Sequence, residues 1–173
     1  MSTKSIEILF EDNHLIAVNK PAGLLVQGDK TGDETLADLV KAYIKKAKNK
    51  PGDVYLGIVH RLDRPVSGVV LFAKTSKALV RLNKMFADRE TKKVYWAVVT
   101  KRPQEESGKL VHWLRKDQEK NRSKAFNNEA KYTKYAELNY KMLRGSDRYT
   151  LLEVYPKTGR HHQIRVQLSK MGC

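Results

Sequence analysis

His60-Arg61-Leu62-Asp63-Arg64-Pro65-Val66-Ser67-Gly68-Val69-Val70-Leu71-Phe72-Ala73 is the stretch on which the fold reading turns, because its chemistry switches at Gly68. From Gly68 to Ala73 the residues form a continuous β-favouring run, which predicts a strand buried on both faces. The residues before it form the densest polar cluster of the chain. Asp63 lies there between Arg61 and Arg64, just ahead of the buried strand. Guanidinium groups favour the ionised form of a nearby carboxylate, so Asp63 is expected to stay charged in a partly desolvated cleft. A positioned carboxylate of that kind is what a nucleophile or general base requires. An aspartate closing a turn, or pairing with arginine in a core bridge, gives the same pattern, and the stretch alone leaves both readings open.

Working outward, Ile6–Phe10 and His14–Val18 read as two short strands joined by the polar turn Glu11-Asp12-Asn13. Lys20-Pro21-Ala22-Gly23 then breaks regular structure, since proline lacks an amide donor and glycine tolerates positive φ. Between Glu34 and Lys48 the apolar residues Leu36, Leu39, Val40, Tyr43, Ile44 and Ala47 fall on one helical face. Lys41, Lys45, Lys46, Lys48 and Lys50 suit the negative end of that helix, and Pro51-Gly52 ends it. Ser76 is the expected N-cap of a second helix whose core line is Leu79, Leu82 and Phe86. Strands are predicted at Lys93–Thr100, Leu110–Leu114, Tyr132–Tyr140 and Tyr149–Tyr155. Arg115–Lys124 has no apolar period and reads as a loop, and Arg160–Met171 reads as a final helix. No internal repeat or low-complexity segment is present. The order of elements indicates an α+β fold, a mixed, mainly antiparallel sheet flanked by helices, in a single domain over residues 1–173.

Composition narrows the function classes. The 173 residues include 34 basic against 19 acidic ones, a formal charge of +15, with 40% hydrophobic residues. That apolar share builds a core and argues against wholesale disorder. The longest strongly apolar stretch, Val69–Ala73, is far too short to span a bilayer, and the N-terminus shows no secretory pattern. Cys173 is the one cysteine, which excludes an internal disulfide and a multi-cysteine metal site, so a reducing, cytoplasmic location is expected. The positive field selects polyanions, and the abundant ones in a cytoplasm are nucleic acids. A solvated lysine surface would give the same charge. A membrane surface is disfavoured, because no helix pairs a basic face with a bulky apolar one.

Two further clusters could carry chemistry. In Thr158-Gly159-Arg160-His161-His162-Gln163-Ile164-Arg165 the first two residues are expected at a helix start, where free amides favour phosphate. His161 and Arg165 are expected on one helical face, and a basic surface helix is the plain alternative. Adjacent histidines do not share a helix face, and no third ligand is placed, so no metal is expected. In Lys92-Lys93-Val94-Tyr95-Trp96-Ala97 a strand would turn Tyr95 and Ala97 one way and Val94 and Trp96 the other. An aromatic flanked by lysines suits base stacking, and equally ordinary core.

Together these segments resemble the ordered motifs of RluA-type RNA pseudouridine synthases. The resemblance runs from Asn19-Lys20-Pro21-Ala22-Gly23-Leu24 through His60–Arg64 and Ser67–Lys74 to Lys93-Val94-Tyr95 and Thr158–Arg165, and covers the chain from about Ile6 to Cys173. It implies a pseudouridine synthase fold and isomerisation of uridine to pseudouridine in structured ribosomal or transfer RNA, without metal or organic cofactor. Asp63 matches the family's essential aspartate, Arg165 the arginine that pairs with it, and Tyr95 the active-site tyrosine that stacks on the base. Arg61 matches the arginine that fills the space left by the target nucleotide, and Ile164 an apolar residue lining the uracil pocket. His60, Arg64, Arg160 and His162 join them as expected substrate contacts. A monomer is the simplest expectation.

Two departures from the family pattern shape further expectations. The hairpin starts at Ile6, which implies no separate N-terminal RNA-binding domain, so target choice would fall to loops such as Arg115–Lys124. The chain stops at Met171-Gly172-Cys173, where the family continues, which implies an incomplete C-terminus with impaired activity and a partly exposed core. A non-catalytic RNA-binding module of the same fold is the alternative function. An aspartate-dependent nucleoside hydrolase is a third reading, disfavoured by the long motifs and the charge.

Overall fold

The computed structural model describes residues 6–49 and 51–173. Lys50, one of the lysines expected beyond the first helix, lies outside the described residues. The chain is α+β and divides into two compact units, one ending at Glu90 and the other running from Thr91 to Cys173. All pairing between its strands is antiparallel. Among the described residues no helix is long and apolar enough to cross a membrane.

The first unit holds strands β1 (Glu7–Glu11), β2 (Leu15–Lys20), β3 (Gly57–Ile58) and β4 (Gly68–Ala73), with helices α1 (Leu36–Ala47) and α2 (Ser76–Ala87). The sheet order is β1-β2-β4-β3. Alternation turns Ile16 and Val18 of β2, and Val70 and Phe72 of β4, to the same side, where they join Leu36, Val40 and Ile44 of α1 in the core. Thr35 starts α1 through a capping box with Asp38, each side chain bonding the other residue's amide. Ala73, with Leu71 alongside, packs instead with Ala78 and Leu82 of α2. The expectation that β4 is buried on both faces therefore needs correction. α1 covers one face, but α2 covers only the far end of the other, and Val69 remains 59% exposed. The second helix is capped by Thr75, whose hydroxyl accepts from the Ala78 amide at 3.2 Å, and Ser76 is its first helical residue instead of the cap.

The second unit holds β5 (Tyr95–Val99), β6 (Ser107–Asp117), β7 (Arg122–Phe126), β8 (Lys134–Gly145), β9 (Thr150–Pro156) and α3 (Gln163–Met171). Its sheet order is β5-β9-β8-β6-β7. The core gathers Leu138, Tyr140, Leu152 and Val154 of the sheet with Leu168 of α3. The segment expected as a loop, Arg115–Lys124, is a hairpin: Arg115 pairs with Lys124, Lys116 with Ser123 and Asp117 with Arg122. A solvated two-stranded ribbon buries little on either face, so no apolar alternation marks it, although Arg115 does stack on the Phe126 ring at 5.1 Å. The final helix begins at Gln163, later than expected, because His162 takes a left-handed conformation with φ of 52°. His161 thus lies outside the helix and does not share a helical face with Arg165.

Candidate active site

In the first unit, sheet register brings the Asp63 segment to the end of β2. Lys20 pairs with Gly68, so the loop that leads into β4 passes over the last residue of β2. Gly68 makes that entry with φ of +134°, a conformation that side chains rarely adopt. Lys20 is in phase with Ile16 and Val18 and, like them, is fully buried. A buried ammonium is costly unless its donors are matched. Lys20 Nζ donates to the carbonyl oxygens of Pro21 at 2.9 Å, Leu24 at 2.7 Å and Arg64 at 3.2 Å, one for each proton. Burial pulls its pKa below the usual lysine value, and the nearby Asp63 carboxylate opposes that shift.

Further bonds tie the same two loops together. The Gly23 amide donates to the Arg64 carbonyl at 2.8 Å, and Arg64 Nε returns a bond to the Gly23 carbonyl at 3.0 Å. Gly23 holds φ of +87° at this crossing. Arg64 also pairs with Asp33 at 3.0 Å. The Val66 amide closes a turn on the Asp63 carbonyl at 3.0 Å. His60 Nε2 accepts from the Leu71 amide at 3.1 Å and its ring stacks on Phe86, which fixes the head of the segment against β4 and α2. Asp63 is therefore half-buried on a tightly held turn beside a buried cation, while Arg61 is exposed.

In the second unit, Tyr95 opens β5 opposite Val154, and with Ala97 it packs on the unit's core, as the alternation predicts. Trp96 faces the other way and is 71% exposed. Ile164 reaches the same apolar cluster as Tyr95, so the structure brings these two expected site residues to one place. Arg165, next along α3, is exposed.

The Thr158–Arg160 turn is fastened to this helix by Gln163. Its Oε1 accepts from Thr158 Oγ1 at 2.8 Å and from the Arg160 amide at 2.9 Å, and its Nε2 donates to the Glu137 carbonyl at 3.0 Å. Thr158-Gly159 therefore does not stand at a helix start: the helix begins later, and the Thr158 hydroxyl and the Arg160 amide are both bonded to Gln163. Arg160 Nε donates to the Tyr135 carbonyl at 2.9 Å. His161 bonds Ser123 of β7 and stacks on His162 with ring centres 3.7 Å apart. One turn further on, Gln167 is fully buried and its Nε2 lies 3.1 Å from the Leu110 carbonyl, 3.1 Å from His112 Nδ1 and 3.3 Å from the Ala136 carbonyl.

Lys20, Gln163 and Gln167 are the residues whose roles sequence reasoning missed. The signals were present: Lys20 continues the inward phase of Ile16 and Val18, and the two glutamines stand four apart on one helical face.

A sequence profile described as RNA pseudouridylate synthase matches residues 14–170. The chain belongs to that family. It is 36% identical over 170 residues to a ribosomal large subunit pseudouridine synthase D of Borreliella burgdorferi, covering 96% of this chain and 52% of the relative. It is 33% identical over 180 residues to a tRNA pseudouridine synthase C of Vibrio cholerae, covering 96% of this chain and 70% of the relative. Among solved structures, human RNA pseudouridylate synthase domain containing 4 matches with a TM-score of 0.80 at 25% identity, over 95% of this chain and 64% of that one. The chain thus spans about half the length of the first relatives it matches.

Proposed function

We propose that the protein is an RNA uridine isomerase that converts specific uridines of ribosomal or transfer RNA into pseudouridine. The observation that carries this reading is the Asp63 turn, held from below by the fully buried Lys20 within a chain of the pseudouridylate synthase family. Such bonding keeps the turn that carries the carboxylate in one place. Two relatives are named for the ribosomal large subunit and for tRNA, which supplies the substrate classes.

In this reading the target nucleotide is turned out of its stack, at a cost of a few kcal/mol. Phosphate contacts from a chain of charge +15 offset that cost. Asp63 either adds to the sugar or removes a sugar proton, and the bond between N1 and C1′ breaks. The uracil turns and C5 bonds to C1′ as the Asp63–C1′ bond breaks or the sugar proton returns; Tyr95 takes the C5 proton and N1 gains one, so that the product is an isomer of the substrate. By the family resemblance Tyr95 stacks on the base, Ile164 lines its pocket, and Arg165 is a catalytic guanidinium. Arg61 fills the space the nucleotide leaves. His60, Arg64, Arg160 and His162 line the RNA path, the two arginines with Nε tethered to backbone carbonyls and so fixed in orientation. Substrate and product are isomers, so no energy source, redox partner or cofactor is required. The chain works as a monomer in the cytoplasm.

Tritium release from RNA labelled at uridine C5 tests this reading. The unaltered chain should release label, and Asp63→Ala should release none while binding the RNA as before. RNA binding without release from either chain would contradict it and leave a binding module.

A further inference from the structure

The segment between β7 and β8 contains a turn whose geometry and residue disagree. The Thr133 amide donates to the Ala130 carbonyl at 3.0 Å, closing a β-turn over Lys131 and Tyr132. The Thr133 hydroxyl reinforces it, accepting from the Ala130 amide at 3.0 Å and donating to the Ala130 carbonyl at 2.6 Å. Of the two central residues only the second has positive φ, 63° at Tyr132. That is the type II pattern, whose third position selects glycine or asparagine because a Cβ is disfavoured there. Asn49 and Asn121 follow this preference, whereas Arg89 and His162, like Tyr132, hold positive φ without it.

Packing offers no compensation for placing tyrosine there. Tyr132 is 78% exposed, the highest value among the large apolar side chains that project into solvent. Its ring carries the Lys131 ammonium at 5.1 Å, and Lys134 follows at the start of β8. Three residues along the chain, Tyr135 meets Trp113 edge-on. An exposed ring with one lysine ammonium over it and a second lysine two residues further along the chain offers what a single-stranded nucleic acid contacts: a π-face for a base and positive charge for phosphates.

We propose that Tyr132 is a stacking platform for an unpaired base of the RNA, presented by a strained turn, with Lys131 and Lys134 holding the adjacent phosphates. This rests on the reading of the protein as an RNA-modifying enzyme and adds a second point of grip, where the RNA must be single-stranded. Strain without packing makes the test sharp, because folding and binding should respond in opposite directions. In Tyr132→Asn the turn gains a residue suited to its backbone, so the melting temperature should hold or rise. Its affinity for a fluorescein-labelled 20-nucleotide oligouridine should fall roughly ten-fold, the loss of one stacked base. Tyr132→Phe should bind like the unaltered chain, and Lys131→Ala should flatten the salt dependence. Unchanged affinity in Tyr132→Asn, or a lowered melting temperature, would overturn the proposal. Tritium release by the unaltered chain, scored in parallel, separates this outcome from failure of the isomerase reading.

Discussion

Lys20 Nζ donates to the carbonyl oxygen of Arg64, 3.2 Å away, and Arg64 follows Asp63 directly in the chain. The buried ammonium is thereby a support for the turn that presents the carboxylate. Lys20→Met removes the donor for three carbonyls at once. Stability measured by urea denaturation should fall by about 2–4 kcal/mol, since each buried acceptor left unmade is costly. In chain that still folds, turnover should fall by more than RNA affinity.

The neutral state of His112 is built into the attachment of α3. Burial, then the Lys170 charge, pulls its pKa below the ordinary histidine value of 6.5, and Nδ1 faces the Gln167 amide as an acceptor. The unfolded chain therefore takes up this proton first. Stability should be full above about 6.5 and decline as pH falls from there toward the folded value. His112→Asn, which has an acceptor but no titration, should lose that part of the decline in melts across the interval.

Glu11 gives a second, more acidic window. Its bond to Lys74 lowers its pKa, burial opposes, and the Tyr43 hydroxyl at 3.0 Å lowers it further. The contribution is complete above the ordinary value of 4.5 and is lost as pH falls through the folded value. Glu11→Gln should cost about 1–3 kcal/mol at neutral pH and flatten the acid limb of the stability curve.

The hairpin of β6 and β7 should act on RNA through phosphate contacts. Replacing Lys120, Arg122 and Lys124 together by alanine should weaken binding uniformly across RNA sequences. It should also reduce the slope of log affinity against log salt by roughly two, at about 0.7–0.9 per contact removed.

Much of the fold was legible because burial imposes a period. The α1 stripe from Leu36 to Ile44, the β1–β2 hairpin and the shared side of Tyr95 and Ala97 were all readable from residue pattern. The β6–β7 hairpin was not legible, since a ribbon solvated on both faces needs no apolar alternation. The start of α3 was hidden for a different reason: His162 adopts a left-handed conformation that no composition signal announces, and the Gln163 side chain organises the turn before it. At the site, Asp63 stood out by its arginine neighbours. Lys20 did not, because a lysine at a strand end is ordinarily solvated, and only its phase with Ile16 and Val18 marks it as buried.

Mapping of pseudouridines in total RNA tests the central claim most directly, comparing cells with the natural protein and cells in which Asp63 is replaced by alanine. The account predicts that a defined uridine in ribosomal or transfer RNA is pseudouridine in the first and uridine in the second. Identical maps from the two, with the altered protein present at normal level, would contradict it.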